Sequence, residues 1–264
     1  MTEELLIQEK GRVLTLTINR PEKLNTVVPE VLWKMADTLN ALGVSATSRP
    51  VVIRGAGEKS FSAGYDIASL PRDVPPEIQE ELKSKPPMET AIQAIMNYPY
   101  PVIAMIQGYA FGGGCEMAIA CDLRVAGERA RMGMPPAKIG LVYPYSGYRR
   151  FLNVLGYSRT LEVFLTGRYY DSARCREMGL VNYVVPDQEL EKFTYDLAEE
   201  LADNAPLSLR GTKSILNRIV KYPHLPPEEE EVISSLFTAS LQSEDVEEGK
   251  RAFREKRKPV FKGC

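Results

Sequence analysis

Three consecutive glycines, Gly112, Gly113 and Gly114, constrain this chain more than any other feature. The apolar run Val102 to Ile106 before them predicts a buried strand, and Glu116 opens a small-residue segment that predicts a helix. Without Cβ atoms, such a turn lets a ligand approach main-chain N–H groups at a helix N-terminus, where peptide dipoles favour negative charge. The stretch predicts a turn that can hold an oxyanion. The alternative is that the glycines only permit tight strand-to-helix packing.

Composition and pattern exclude several kinds of partner. The turn matches neither GxxxxGK[ST] nor GxGxxG, so it does not indicate a nucleotide site. The chain has 264 residues, of which 44% are hydrophobic, and its net charge of −2 provides no field to attract nucleic acid or an acidic membrane surface. No apolar run approaches the roughly 20 residues that span a bilayer. The start lacks a basic leader, so we expect a cytoplasmic protein without nucleic-acid or membrane partners.

Cysteine and histidine usage narrows the chemistry further. None of the four cysteines forms a C-x-x-C pair, which favours reduced structural thiols over a disulfide framework or a zinc site, and we expect no metal. His224 is the only histidine and lies in a proline-rich loop. A Ser-His-Asp or Cys-His mechanism is therefore excluded, which leaves carboxylates, tyrosines and backbone amides.

Predicted strands alternate with predicted helices, which indicates an α/β architecture. The predicted strands cover 5–7, 13–18, 50–53, 102–106, 122–127 and 181–185, and the predicted helices cover 28–42, 89–96, 159–166, 172–178 and 190–204. Residues 71–87 suit a lid or a surface excursion, and 132–150 is predicted to be irregular. From residue 206 the chain is predicted to be wholly helical. We therefore expect an α/β core at 1–205 and a helical subdomain at 206–264 that packs as an appendage or against a neighbouring subunit.

Four motifs in order resemble the crotonase superfamily, the enoyl-CoA hydratase/isomerase family. They are F-S-A-G-Y-D-I at 61–67, G-Y-A-F-G-G-G-C-E-M-A at 108–118, L-T-G-R…A-R-C-R-E-M-G-L-V-N at 165–182 and E-D-V-E-E-G-K-R-A-F-R-E-K-R-K-P-V-F at 244–261. The resemblance implies a spiral of ββα turns with a helical C-terminal trimerisation subdomain. It also implies a homotrimer or a hexamer built as a dimer of trimers. The substrate would be a coenzyme A thioester, with no separate cofactor.

The same resemblance assigns the substrate-binding residues. It places the N–H groups of Tyr65 and Gly113 on the thioester carbonyl, where they would stabilise an enolate-like charge. It places the adenine end of coenzyme A against the backbone of the segment 63–67, and the phosphates near basic side chains such as Lys256. The substrate-binding residues implied in this way are Ala63, Gly64, Asp66, Ile67, Pro135 and Lys256.

Two positions decide which reaction the resemblance implies. Glu116 occupies the place of the family's first catalytic glutamate, whereas Pro136 stands where the second glutamate is expected, so a two-glutamate hydration is in doubt. One carboxylate suffices for proton transfer in an isomerisation. The alternative for Glu116 is a carboxylate that only complements the helix dipole.

A second branch of the family offers a different reaction. The segments F-S-A-G-Y-D-I-A-S-L-P and G-L-V-Y resemble methylmalonyl-CoA decarboxylase, in which Tyr143 would orient a departing carboxylate. That branch carries a histidine where this chain has Tyr65. A relative that binds RNA through a lysine-rich helix gives a third, non-catalytic hypothesis. It is disfavoured here because basic residues near the C-terminus alternate with glutamates.

Overall fold

The computed structural model describes residues 3–44, 49–66, 84–222 and 226–264. In these ranges the chain folds into two sheets with helices packed around them. The strands are β1 (Leu5–Lys10), β2 (Val13–Ile18), β3 (Val51–Gly55), β4 (Ser60–Ser62), β5 (Val102–Ile106), β6 (Tyr109–Phe111), β7 (Leu123–Gly127), β8 (Arg131–Gly133), β9 (Tyr169–Asp171) and β10 (Tyr183–Val185). The helices are α1 (Pro29–Gly43), α2 (Pro87–Asn97), α3 (Gly113–Ala120), α4 (Tyr145–Thr166), α5 (Ser172–Met178), α6 (Leu190–Ala202), α7 (Pro206–Lys221), α8 (Pro227–Leu241) and α9 (Glu244–Glu255).

The larger sheet has the strand order β1-β2-β3-β5-β7-β10, and the smaller has the order β4-β6-β8-β9. All pairs are parallel except β1 with β2 and β8 with β9. Each of β3, β5 and β7 is followed by a short strand of the smaller sheet. The central strands β2 and β5 are buried along their whole length, as expected for parallel strands covered on both faces. These repeated turns confirm the α/β class and the predicted spiral of ββα units.

A large core lies between the main sheet and the pair α1 and α2. The apolar residues Leu32, Met35 and Leu39 of α1 recur at three- and four-residue spacing and are fully buried. Ile92 and Ile95 of α2 are fully buried in the same cluster. This packing anchors α2, whose first turn lies beside the glycine-rich turn between β6 and α3.

Three local predictions were wrong. The helix after the triple glycine begins at Gly113 rather than at Glu116, and all four short strands of the smaller sheet, β4, β6, β8 and β9, were missed. Residues 132–150 are not irregular throughout, because β8 covers their start and α4 begins at Tyr145. α4 therefore begins well before residue 159, where the helix was predicted to start, and it has a kink at Gly156, whose φ is 72°. Periodicity found the part of α4 after the kink and missed the part before it, because the kink interrupts the helical spacing.

The C-terminal part is helical in α7, α8 and α9, but the last helix ends at Glu255, so the prediction of helix to the end was too long. The division of the chain at residue 205 stays a prediction. The predicted lid at 71–87 lies outside the described residues except for its last four, and His224 also lies outside them. No helix in the described ranges is long and apolar enough to cross a membrane.

Candidate functional site

Two turns interlock at the centre of the candidate site. A Cβ atom on Gly64 would lie 2.8 Å from the carbonyl oxygen of Phe111 and 2.9 Å from the nitrogen of Gly113. A Cβ atom on Gly114 would lie 2.1 Å from the carbonyl oxygen of Ser62. Gly64 also has a φ of +96°, which side chains rarely adopt. The glycines of both sequence motifs are therefore required for the segment after β4 to touch the start of α3.

This contact brings the two predicted amides together. The nitrogen of Tyr65 lies 3.5 Å from the position of a Cβ on Gly113. Since that position is two bonds from the Gly113 nitrogen, the two nitrogens are at most about 6 Å apart. Neither N–H donates a hydrogen bond within the part of the chain that the structure describes. The side-chain methyl of Met88 packs over Gly113 from the first turn of α2, 2.5 Å from the same Cβ position.

A buried ion pair holds the turn that carries Tyr65. Arg20 donates to Asp66 at 3.1 Å and to the carbonyl oxygen of Thr26 at 2.9 Å. The N–H of Asp66 donates to the carbonyl oxygen of Val27, beside the bridge between Val27 and Tyr65. Asp66 was predicted to bind substrate through the backbone of its segment. The structure places its side chain on Arg20, where it fixes the backbone around Tyr65.

Glu116 and Tyr143 are in direct contact. The Tyr143 hydroxyl donates to Oε2 of Glu116 at 2.5 Å, and Arg150 donates to Oε1 at 2.6 and 3.1 Å. Glu116 is 3% exposed, and its charge is compensated by Arg150. Glu116 and Gly113 are three residues apart on α3, so they share one face of that helix. The predicted carboxylate of Glu116 and the predicted amide of Gly113 therefore lie on the same side of α3.

A second carboxylate lies on the other side of Arg150. Glu89 of α2 accepts two hydrogen bonds from Arg150, at 3.0 and 2.7 Å, and further bonds from Ser146 and Gln93. Burial alone would raise the pKa of Glu89, but the hydrogen bonds from Arg150 and Gln93 outweigh it and lower the pKa. Burial alone would lower the pKa of Arg150, but Glu89 and Glu116 raise it. Two carboxylates thus share one buried guanidinium.

The half-buried ring of Tyr143 is held by two aromatic side chains and by Gly147. It packs against Tyr148 and Phe164, with ring centroids 6.3 and 5.6 Å away. Gly147 lies below it, where a Cβ would be 2.5 Å from two ring carbons and 2.9 Å from Oε1 of Glu116. Burial, together with the charge and hydrogen bond of Glu116, raises the pKa of Tyr143. Tyr143 is therefore held as a neutral donor to Glu116.

The surroundings of Pro136 are apolar. Pro136 begins a short 3₁₀ helix (Pro136–Ile139) and lines a cavity of about 550 Å³ together with Tyr148 and Phe164. No carboxylate is among the described residues that line this cavity. The described part of this wall therefore holds no carboxylate that could replace a glutamate at position 136.

The remaining predicted residues lie further from this contact or outside the described residues. Ala63 donates its N–H to the carbonyl oxygen of Leu24, and the α-carbon of Pro135 lies against Gly167 at the end of α4. Lys256 is exposed directly after α9, and its side chain makes no hydrogen bond or ion pair within the described residues. Ile67 lies outside the described residues. Among the described residues, no cluster of side chains is arranged to hold a metal ion.

Sequence analysis missed Arg150, Glu89 and Gly147. Glu89 and Arg150 lie 61 positions apart, and neither belongs to a motif that was recognised. The one local signal was Gly147 itself, which lies in the first turn of α4. Glycine is less favourable in a helix than alanine, so its presence there indicates that a side chain would not fit.

Comparisons with known proteins agree on one family. A family model described as enoyl-CoA hydratase/isomerase matches residues 8–264. Carnitinyl-CoA dehydratase of Escherichia coli (strain K12) is 33% identical over 268 residues and covers 100% of both chains. An enoyl-CoA hydratase from Bacillus anthracis superposes with a TM-score of 0.89 at 28% identity, over 99% of this chain and 100% of that one. An enoyl-CoA hydratase/carnithine racemase from Magnetospirillum magneticum superposes with a TM-score of 0.89 at 30% identity, over 100% and 97% of the two chains.

Proposed function

The chain belongs to the enoyl-CoA hydratase/isomerase family, and from that premise we propose that it is an acyl-CoA lyase or isomerase that works through a thioester enolate. Two backbone amides, Tyr65 and Gly113, hold the enolate oxygen, and Glu116 moves the proton at the α-carbon. The observation that carries this proposal is the proximity of the two amides, which have no other partner within the described residues. Donors aimed at a developing oxyanion commonly contribute a hundred- to a thousandfold each.

Glu116 and Tyr143 act together in this proposal. Glu116 removes the α-proton, the electron pair of that C–H bond forms the double bond to the carbonyl carbon, and the π pair of the carbonyl group moves to the thioester oxygen. As the enolate collapses and expels a β-hydroxyl group, Tyr143 gives that group its proton, water leaves, and Tyr143 regains a proton from Glu116. Both roles suit the contact between them, since the neutral hydroxyl already donates to the carboxylate. A carboxylate offers about four acceptor positions, so Glu116 can accept a further proton while bound to Arg150.

The likeness to carnitinyl-CoA dehydratase supports the lyase form of this reaction, in which water is eliminated or added. The absence of a carboxylate at Pro136 argues that any hydration here uses Tyr143 in place of a second glutamate. Decarboxylation is less well supported. A substrate carboxylate held by the Tyr143 hydroxyl would lie beside the carboxylate of Glu116, and two negative charges at that distance repel each other.

Exchange of the α-protons of butyryl-CoA in deuterated water tests enolate formation without any later step. We expect the wild-type protein to incorporate deuterium, measured by mass spectrometry, and Glu116→Gln to slow the incorporation by about 10²- to 10⁴-fold. Glu128→Gln is the matched control, because Glu128 is exposed and makes no ion pair within the described residues. Exchange at the wild-type rate in Glu116→Gln would contradict the role of Glu116.

The same samples distinguish the alternative reaction. Formation and loss of the enoyl thioester are followed with crotonyl-CoA and 3-hydroxybutyryl-CoA, and release of CO₂ is followed with methylmalonyl-CoA. Interconversion of the first pair supports the lyase. Release of CO₂ that survives Glu116→Gln but not Tyr143→Phe would support the decarboxylase instead.

A further inference from the structure

A second cavity, of about 670 Å³, lies between α2, α4 and α7, and we call it the basic cavity. Its volume is in the range of small-molecule sites, which commonly run from about 300 to 1,000 Å³. Its wall has an unusual composition. Six cations line it, whereas the only acidic side chain among the described lining residues is Glu229. The six are Arg149, Arg150, Arg210, Lys213, Arg218 and Lys221.

Helix α7 turns its charged face inward to form this wall. Arg210, Lys213, Asn217 and Lys221 recur at spacings that place them on one face, and all line the cavity. The apolar residues Leu216 and Ile219 of α7 are 55% and 49% exposed. A helix that packs on a protein normally buries its apolar side and exposes its charges. On α7 the charged face instead lines the basic cavity, where it is available to a polar ligand.

Half of the cations already have a carboxylate partner. Lys213 pairs with Asp122 at 2.6 Å, Arg218 pairs with Glu229, and Arg150 is shared by the two carboxylates of the candidate site. These pairs fix part of the wall, and the three paired cations themselves add little net charge to it. The anion-binding capacity therefore depends on the other three cations.

Arg149, Arg210 and Lys221 make no ion pair within the described residues. Arg149 donates through Nη2 to the carbonyl oxygens of Val220 and Lys221, which fixes its guanidinium at the end of α7. The ammonium of Lys221 lies 5.1 Å from the ring of Tyr222. Three cations without an ion pair of their own thus line one concave surface, and Glu229, already bound to Arg218, compensates Lys221 only in part. A bound anion would reduce the repulsion among them.

Neutral hydrogen-bonding groups complete the wall. The side chains of Asn97, Asn153 and Ser214 line the cavity and make no hydrogen bond within the described residues. Amide and hydroxyl donors beside guanidinium groups match the oxygens of a carboxylate or a phosphate. The cavity also reaches the candidate site, because Ser146 and Arg150 line it and both contact Glu89.

From this geometry we infer that the basic cavity binds an oxyanion, a carboxylate or phosphate group, through Arg149, Arg210 and Lys221. Two sources share this chemistry. One is a free small anion, and the other is an anionic group at the far end of the acyl chain of the thioester. The second source rests on the proposed function, whereas binding of a free anion does not.

The test uses direct binding by isothermal titration calorimetry at low ionic strength. The probes are inorganic diphosphate, glutarate, and the matched thioesters glutaryl-CoA and butyryl-CoA, which differ in a terminal carboxylate. The variant combines Arg210→Gln with Lys221→Gln, both exposed and free of ion pairs within the described residues. Lys59→Gln is the control, because Lys59 is an exposed cation outside the cavity that likewise makes no such pair.

We expect the double variant to weaken oxyanion binding by roughly fivefold for each charge removed, about 25-fold in all, and Lys59→Gln to leave it unchanged. If the acyl chain is the source, glutaryl-CoA binding weakens and butyryl-CoA binding does not. If a free anion is the source, diphosphate or glutarate binding weakens and both thioesters bind as before.

The inference is overturned if the wild-type protein binds neither free anion and does not prefer glutaryl-CoA over butyryl-CoA. It is also overturned if the double variant and Lys59→Gln have the same effect. Binding of butyryl-CoA with no anion effect would remove this inference and leave the proposed function standing. Anion binding that depends on Arg210 and Lys221, with no binding of butyryl-CoA, would support this inference and contradict the proposed function.

Discussion

Replacing Gly147 by alanine tests whether the contact between Tyr143 and Glu116 is needed for proton transfer. The new Cβ would lie 2.5 Å from two carbons of the Tyr143 ring and 2.9 Å from Oε1 of Glu116. Ordinary carbon contacts are about 3.5–4.0 Å, so the ring must move by roughly 1 Å. The hydrogen bond of 2.5 Å between Tyr143 and Glu116 would then lengthen beyond its useful range.

The expected magnitudes follow from this displacement. Overpacking costs about 1–3 kcal/mol, while alanine in a helix gains about 1 kcal/mol over glycine, so the protein should lose at most about 2 kcal/mol of stability. A displacement of roughly 1 Å at a reacting group costs about a hundredfold in rate. The variant should therefore remain folded and exchange the α-protons of butyryl-CoA about a hundred times more slowly.

Gly211→Ala is the matched control for this change. Gly211 lies within α7, and a Cβ there meets nothing within 4 Å. This variant should gain up to about 1 kcal/mol of stability, measured by chemical denaturation, and keep its exchange rate. Exchange at the wild-type rate in Gly147→Ala, with the stability loss present, would refute the requirement for this contact.

Two further predictions concern the same buried groups. Tyr143→Phe removes a hydrogen-bond donor from the buried carboxylate of Glu116 and should slow α-proton exchange by about 10- to 100-fold. Because the pKa of Tyr143 is raised, the exchange rate of the wild-type protein should not fall as the pH rises to about 10, the usual pKa of tyrosine. A drop near that pH that disappears in Tyr143→Phe would contradict this. Glu89→Gln should cost roughly 1–2 kcal/mol at neutral pH, where Glu89 is paired with Arg150. Since the pKa of Glu89 is lowered, its stabilisation is present above its usual 4.5 and is lost as the pH falls below that value. Denaturation midpoints of the two proteins should therefore converge in acid, and a constant difference would contradict the pairing.

Much of the fold was accessible from local pattern. The unbroken apolar run Val102–Ile106 predicted the central parallel strand β5, because a strand covered on both faces needs apolar residues at every position. Alternation predicted β2 as a half-buried strand, but its threonines are buried as well. Three- and four-residue spacing predicted α1, and helix α5 was found with its observed limits, Ser172–Met178. Pattern failed for the part of α4 before the kink at Gly156 and for the four strands of the smaller sheet, which have only three residues each.

The sequence by itself determined the elements whose signals are local: the two glycine-bearing turns, the carboxylate three residues after Gly113, and the family to which the chain belongs. That Tyr65 and Gly113 serve as the oxyanion donors stays a prediction. Only the tertiary structure decided what surrounds Glu116. Glu89 comes from α2, whereas Gly147 and Arg150 come from α4, and their contacts depend on how these two helices pack on α3. Hydrogen bonds and ion pairs act over a few ångströms in space, and spacing along the chain carries no record of such distances between distant segments.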